Sequence, residues 1–361
     1  MNVLADSIRS AEVVLPCDDL GANLAFFTDR LGFRVETIYP ADEPSVAVIA
    51  AHGVRLRLQA GGRGAECVLR LRCTDRGLHG QVLTAPNGTR IELVPDETPI
   101  VVPPLRPSLT VTRLTGDASW SVGRAGMRYR DLVPDRQGGR FIASHIRIPE
   151  GGPVPDYVHF HRVRFQMIFC RTGWVRIVYE DQGPPFVMHA GDAVLQPPEI
   201  RHRVLECSPG LEVIEIGSPS DHETHVDANL VLPTPAVRPD RSFGGQRFVR
   251  HEAATARWRP WRLDGYECRD LGIASATDGL AGALVVRPGA GGSPTRARHD
   301  GELLFHFVLA GALSFHGEGS SAERLAAGDA MVVPAGMSYV LGEPSRDLEF
   351  LEVTLPAIRI A

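Results

Sequence analysis

The chain has 361 residues, 43% of them hydrophobic and 22% charged, with a formal net charge of −5. That length suggests two or three domains, and the slight acidity gives no electrostatic reason to expect a nucleic acid or an anionic membrane as partner. Lysine is absent, so all 38 basic residues are arginine. This excludes a Schiff-base lysine with its pyridoxal chemistry, and a P-loop, whose lysine holds phosphates.

The 37 glycines and 28 prolines suit a chain of short strands and turns. The six cysteines form no C-x-x-C pair, no stretch approaches 18 apolar residues, and Met1 to Ser10 lacks a basic start followed by an apolar run. These features predict a cytoplasmic protein with reduced thiols, and argue against a zinc knuckle or a disulfide framework.

In chain order, the first predicted elements form a βαβββ unit. Val13 to Leu15 is a short strand. Asp18 or Asp19 caps a helix in which Leu20, Leu24, Phe27 and Leu31 recur at helical spacing, and Gly32 ends it. Strand-like runs follow at Phe33–Tyr39, Ser45–Ala50 and Val54–Gln59. A second unit starts at Cys67–Cys73 and ends at Arg90–Val94, with no room between for a full helix and two strands.

Two proline-rich stretches, Pro95 to Pro107 and Leu232 to Asp240, read as linkers. They bound domains at 1–95, 108–231 and 241–361. The last two repeat each other at an offset of 137 to 139 residues, a duplicated domain rather than a solenoid unit. Ala190-Gly-Asp-Ala193 recurs as Ala327-Gly-Asp-Ala330, Arg130-Asp-Leu132 recurs as Arg269-Asp-Leu271, and strand-like runs end at Gly173 and Gly311. Strand-length runs broken by Gly, Pro and Asp turns predict an all-β barrel or sandwich for each copy.

Chemistry concentrates in the first copy. His159 and His161 sit two apart on a strand and so face one side. Gln166 begins the next strand, and His202 lies beyond the Gly191-Asp192 turn and Pro197-Pro198. Three imidazoles and an amide oxygen can converge on one divalent ion and leave positions open. Gln196 and Tyr179 have the strand parity to point inward near it, with core or rim packing as the leading reading of each. Arg162 and Arg164 have the opposite parity from His161 and read as a solvated face. Cys170 reads as a buried small residue, and His222-Glu-Thr-His225 as a loop after the barrel.

The pattern Gly152, His159-x-His161, Gln166, Gly173, then Gly191, Pro197 and His202 resembles the cupin superfamily. It departs in having six residues between Gly152 and His159 where the family has five, and Gln166 where the family usually has glutamate. In the second copy His161 maps to His299, but His159 maps to Ala297, Gln166 to Leu304 and His202 to Tyr339. His306 shares strand parity with position 304, yet two histidines seldom hold a catalytic ion. A degenerate cupin without metal is expected there.

The first segment resembles the vicinal oxygen chelate family through Asp19-Leu20, Phe26-Phe27, Leu31-Gly32-Phe33 and Ala85 to Leu93. Glu92 falls on that family's metal glutamate. Glu12, Arg57 and Val68 occupy the other ligand positions, where an arginine and a valine cannot bind a cation, so this copy is expected to be degenerate.

The resemblances imply a mainly β chain, two jelly-roll cupin barrels behind a small α+β domain. A neutral three-histidine shell suits Fe(II), with Zn, Mn or Ni as the other candidate ions. The first expectation is a non-heme Fe(II) dioxygenase acting on a small chelating substrate. In it His159, His161 and His202 bind the ion, Gln166 is a weak fourth ligand, and Gln166, Tyr179 and Gln196 serve catalysis. The sequence offers no other inward base, and this ranks oxygenation above the rival readings. Those are a non-redox cupin isomerase or lyase using Zn, Mn or Ni, and a non-catalytic small-molecule-binding protein. The expected partners are a small-molecule substrate and, as an admitted assembly, a homodimer, with no nucleic acid and no membrane.

Overall fold

The computed structural model describes residues 12–40, 44–61, 67–96, 100–116, 120–122, 127–289 and 296–358. The chain forms two units, 1–99 and 100–361. No helix among the described residues is long and apolar enough to cross a membrane.

In the first unit, the strand Val13–Cys17 leads into the helix Leu20–Ala25. The Asp19 carboxylate accepts from the Ala22 amide at 2.8 Å and so caps it. The expected helix does not run unbroken to Leu31. It widens to a π turn at Phe26–Arg30, and both Phe26 and Phe27 are buried in the core. Gly32, at φ +71°, ends it. Strands Arg34–Tyr39, Val46–Ala51 and Val54–Ala60 complete a sheet in which Val13–Cys17 pairs parallel with Val54–Ala60. The expected βαβββ unit is present. The shortened second unit is a three-stranded sheet of Val68–Cys73, Arg90–Pro95 and Val82–Thr84, with a single 3-10 turn, Arg76–Leu78, in place of a helix.

The second unit holds the duplicated barrels. In the first barrel a seven-stranded sheet runs in the order Val249–His251, Ala193–Leu195, Phe165–Thr172, Leu211–Ser218, Ile142–Ile148, Arg128–Asp131, Ser121–Val122. It faces a sheet ordered Phe186–His189, Trp174–Tyr179, His202–Cys207, His159–His161, Thr224–Val226. In the second barrel the corresponding central strands are Leu303–Ala310 and Glu349–Leu355. Each long strand turns back at a glycine in the left-handed region. A β-carbon on Gly173 would lie 2.3 Å from Ser208 Oγ, and one on Gly311 would lie 2.4 Å from Ser345 Oγ.

The barrels share a core. Along Phe165–Thr172 the alternate residues Phe165, Met167 and Phe169 face outward. They pack on Leu303, Phe305 and Phe307 from the equivalent strand of the second barrel. They also exchange strands. Thr110–Thr112, ahead of the first barrel in sequence, pairs with Ala330–Val332 of the second. Val249–His251, from the start of the second copy, pairs with Ala193–Leu195 of the first. The sequence boundary at 231/241 therefore separates two copies that complete each other's sheets.

The repeated motifs meet across this interface. Arg130 donates to the carbonyl of Gly328, and Arg269 donates to that of Gly191 at 3.4 Å. The turn aspartates are matched as well. Asp192 accepts from the Ala253 amide and Asp329 from the Leu114 amide, at 2.8 and 2.9 Å. Burial of the Arg130 guanidinium lowers its pKa to about 10.

Candidate metal centre and cavity

The strands that carry the three histidines lie side by side, and His159 is directly opposite His202. The imidazole centroids are 4.3 Å apart for His159 and His202, 5.2 Å for His159 and His161, and 5.4 Å for His161 and His202. One ring nitrogen from each lies within 4.8 Å of the others. Nδ1 of His159 donates to the Tyr157 carbonyl at 2.8 Å, and Nδ1 of His202 to the Ile200 carbonyl at 3.0 Å. A carbonyl only accepts, so these bonds put the proton on Nδ1 and the lone pair on Nε2. His161 Nδ1 is 3.2 Å from the Thr224 hydroxyl, which allows the same tautomer. Three buried or half-buried imidazoles, each with a ring nitrogen within 4.8 Å of the others, suit a divalent cation.

The histidines border a cavity of about 290 Å³ inside the first barrel, which Gln166 and Gln196 also line. Gln166 Nε2 donates to Glu215 Oε1 at 2.6 Å. Gln196 Nε2 donates to the Tyr179 hydroxyl at 3.0 Å, while its Oε1 is buried without a hydrogen-bond partner. Tyr179 does not line the cavity. It is 1% exposed, packed between His202, Phe186 and Phe248, and burial pushes its phenol pKa up. The phenol therefore lies behind the His202 ring and bonds Gln196, outside the cavity lining.

Glu215 was missed. It lies one strand from Gln166, and its partners in register are Ser144 and Ile168. A sequence signal was available, since Leu211-Glu-Val-Ile-Glu215 recurs as Leu348-Glu-Phe-Leu-Glu352 at the duplication offset. The segment 222–225 is also corrected. Thr224–Val226 is a strand paired with His159–His161, because a third strand covers what would otherwise be an open edge. It sets Thr224 on His161, and the His222 ring lies 5.4 Å from the His161 ring and lines the cavity.

Arg162 and Arg164 do not reach the cavity lining. Arg162 pairs with Glu199 at 3.1 Å. Arg164 and Arg140 both pair with Glu302 of the second barrel, at 2.8 and 2.7 Å. Cys170 is fully buried, which raises its thiol pKa to about 12.

In the second barrel the equivalent space is filled. Ala297 and Tyr339 stand opposite each other as His159 and His202 do in the first. Glu352, in the place of Glu215, accepts from Arg262 and from His306 Nε2, the latter at 2.9 Å. Arg262 also donates to the Tyr339 hydroxyl at 3.3 Å. His299 donates to the Val333 carbonyl at 2.8 Å. In the first unit Glu92 pairs with Arg70 and Arg90, and Glu12 with Arg55 and Arg57, so both carboxylates are neutralised by arginines.

Residues 283–354 match the family model described as a cupin domain. No curated protein matches the sequence significantly. Among solved structures, the chain is similar to the oxalate decarboxylase of Lactobacillus farciminis in its formate complex, at 17% identity and a TM-score of 0.50. That match covers 72% of this chain and 90% of that one. Mutant oxalate decarboxylase of Bacillus subtilis matches at 14% identity and a TM-score of 0.49, over 66% and 75% of the chains. A structure concerned with the Mn(II) centres of the same enzyme matches at 13% and 0.48, over 68% and 77%. The fold is that of a bicupin, and the family model falls on the barrel that has lost the histidine set.

Proposed function

We propose that this bicupin is a metal-dependent enzyme of non-redox type, a lyase or isomerase, acting on a small carbonyl or carboxylate compound in the first barrel. His159, His161 and His202 would hold the ion, with the oxygen of the Gln166 amide as fourth donor. A bound Mn(II), Zn(II), Ni(II) or Fe(II) would supply Lewis-acid polarisation of a substrate carbonyl.

One observation carries the choice of chemistry: Glu215 lines the same cavity as the three histidines and holds the Gln166 amide at 2.6 Å. The preference for an oxygenase rested on a lack of inward bases, and Glu215 removes that premise. Its carboxylate can take a proton from a carbon next to a carbonyl and return it to the same or a neighbouring carbon, a cycle that needs no oxidant. Gln166 fixes the carboxylate by one N–H, and its other oxygen can still accept. Gln196, with an unsatisfied carbonyl oxygen beside Tyr179, can accept a hydrogen bond from a substrate hydroxyl or acid.

The first unit is proposed as a reduced vicinal-oxygen-chelate-like module without metal. The βαβββ sheet with its parallel pair supports this, as do the arginines on Glu92 and Glu12. Residence in the cytoplasm is proposed on the six cysteines, none of which is in a disulfide.

The test is deuterium exchange into the C3 position of 2-oxo acids in D2O, followed by NMR in air and under strict anaerobiosis. Exchange is expected with Mn(II) or Zn(II) in both atmospheres, falling roughly 10²–10⁴-fold in Glu215→Gln. Absence of exchange, together with stoichiometric oxygen uptake that requires Fe(II), would overturn this reading in favour of the dioxygenase.

A further inference from the structure

The register of the first barrel sorts its cavity into a polar end and an aliphatic end. Gln166 aligns with Gly217 and Ile142. The next inward row is Ser144, Glu215 and Ile168. Two residues further on come Ile146 and Val213, and then Ile148 and Leu211. On the facing sheet His202 aligns with Tyr179, and the next inward pair is Val204 and Ile177. In these rows the polar groups Gln166, Ser144 and Glu215 fall in the first two; further along, Tyr129, level with Ile146, also lines the cavity, with its hydroxyl 3.5 Å from Met127 Sδ. From Glu215 to Leu211 is four residues, about 13 Å at the rise of an antiparallel strand.

Among the described residues, packing does not close this aliphatic end. Ile148, Ile168 and Val204 point into the barrel, yet each keeps partial exposure because the cavity runs between them. The second barrel shows the alternative. There the position of Ile168 is His306, which joins Glu352 and Arg262 to fill the interior, and each of His306 and Glu352 is at most 2% exposed. Among the described residues the first barrel has no such plug, so its apolar walls meet either water or a ligand. Walls of this kind are filled favourably by hydrocarbon and poorly by a dianion as small as oxalate.

We propose that the substrate is an acid or oxo acid with an aliphatic or aryl tail. Its polar head lies at the histidines and Glu215, and its tail lies along Ile168, Val204, Ile146 and Val213. This rests on the metal-site reading for the head, and on the cavity alone for the tail.

Binding of the straight-chain 2-oxo acids from pyruvate to 2-oxooctanoate, and of oxalate, is measured by calorimetry on the full-length protein. Each acid is tested on Mn(II)-loaded and on metal-stripped protein. Affinity is expected to rise about fourfold for each added methylene until the cavity is full, with oxalate among the weakest. Val213→Phe, which shortens the floor with an apolar group, should flatten the rise for the longer acids. Should that variant misfold, the wild-type slope decides alone. A flat slope, tightest binding of oxalate, or no binding of any acid overturns the tail proposal. A slope that persists at equal affinity with and without metal overturns the metal-site reading and leaves the tail proposal standing.

Discussion

Glu352→Gln tests whether the second barrel is held together by the charges that fill it. Glu352 is 1% exposed between Arg262 and His306. Burial alone would push its carboxyl pKa up. The Arg262 charge and the His306 hydrogen bond outweigh that and hold it at about 2, against an ordinary 4.5. The difference corresponds to ~3 kcal/mol of stability. A folded-state pKa below the unfolded one stabilises above the unfolded value, so this contribution is present at neutral pH and is lost as pH falls from 4.5 towards 2. A second route gives a similar figure: removing one partner of a buried pair leaves the other uncompensated, at ~3–5 kcal/mol. Urea unfolding followed by fluorescence of Trp258 and Trp261 should therefore show Glu352→Gln weakened by about 3–5 kcal/mol at pH 7. Its deficit should shrink towards pH 2. Replacing both partners with apolar residues, Arg262→Met with Glu352→Leu, should recover much of the loss. A single variant within about 1 kcal/mol of the parent, or a double variant no better than the worse single, would refute the reasoning.

Three further outcomes are expected. His159→Ala combined with His161→Ala should abolish metal content measured by mass spectrometry, whereas His299→Ala should keep one equivalent per chain, because its ring is committed to the Val333 carbonyl. Gln166→Glu replaces the N–H that meets Glu215 with a second acceptor, so its thermal midpoint should drop by the equivalent of about 1–3 kcal/mol and its deuterium exchange should fall with it. Phe305→Ala, at the fully buried centre of the shared core, should cost about 3–5 kcal/mol and destabilise both barrels together, read as a parallel loss of signal from Trp174 and Trp258.

Much of the fold was legible because it depends on period and punctuation. Alternating strands ended by Gly173 and Gly311 gave the duplicated barrel, and the spacing of His159, His161 and His202 gave the cluster. What stayed hidden was set by which strands become neighbours. Glu215 meets Gln166 only because Leu211–Ser218 lies beside Phe165–Thr172, 49 residues away in the chain. The segment at His222 looked like a loop because its strand has three residues and takes its register from His159–His161. Strand exchange was hidden for the same reason: neither Thr110–Thr112 nor Val249–His251 carries a mark of which barrel it will join.

The duplication also explains why a barrel without the histidine set is retained beside one that has it. The first barrel's sheet is completed by Val249–His251, its outward phenylalanines are covered by the second barrel, and Arg269 anchors its Gly191 turn. The second barrel could trade its cavity for the Arg262–Glu352–His306 cluster without loosening any of these contacts, because they lie on the outer faces and the cavity lies within. In the first barrel the same separation lets the inner face keep incompletely packed aliphatic residues and an inward carboxylate. Both are costly features for a lone barrel, and here they are supported by a neighbour whose own interior is filled.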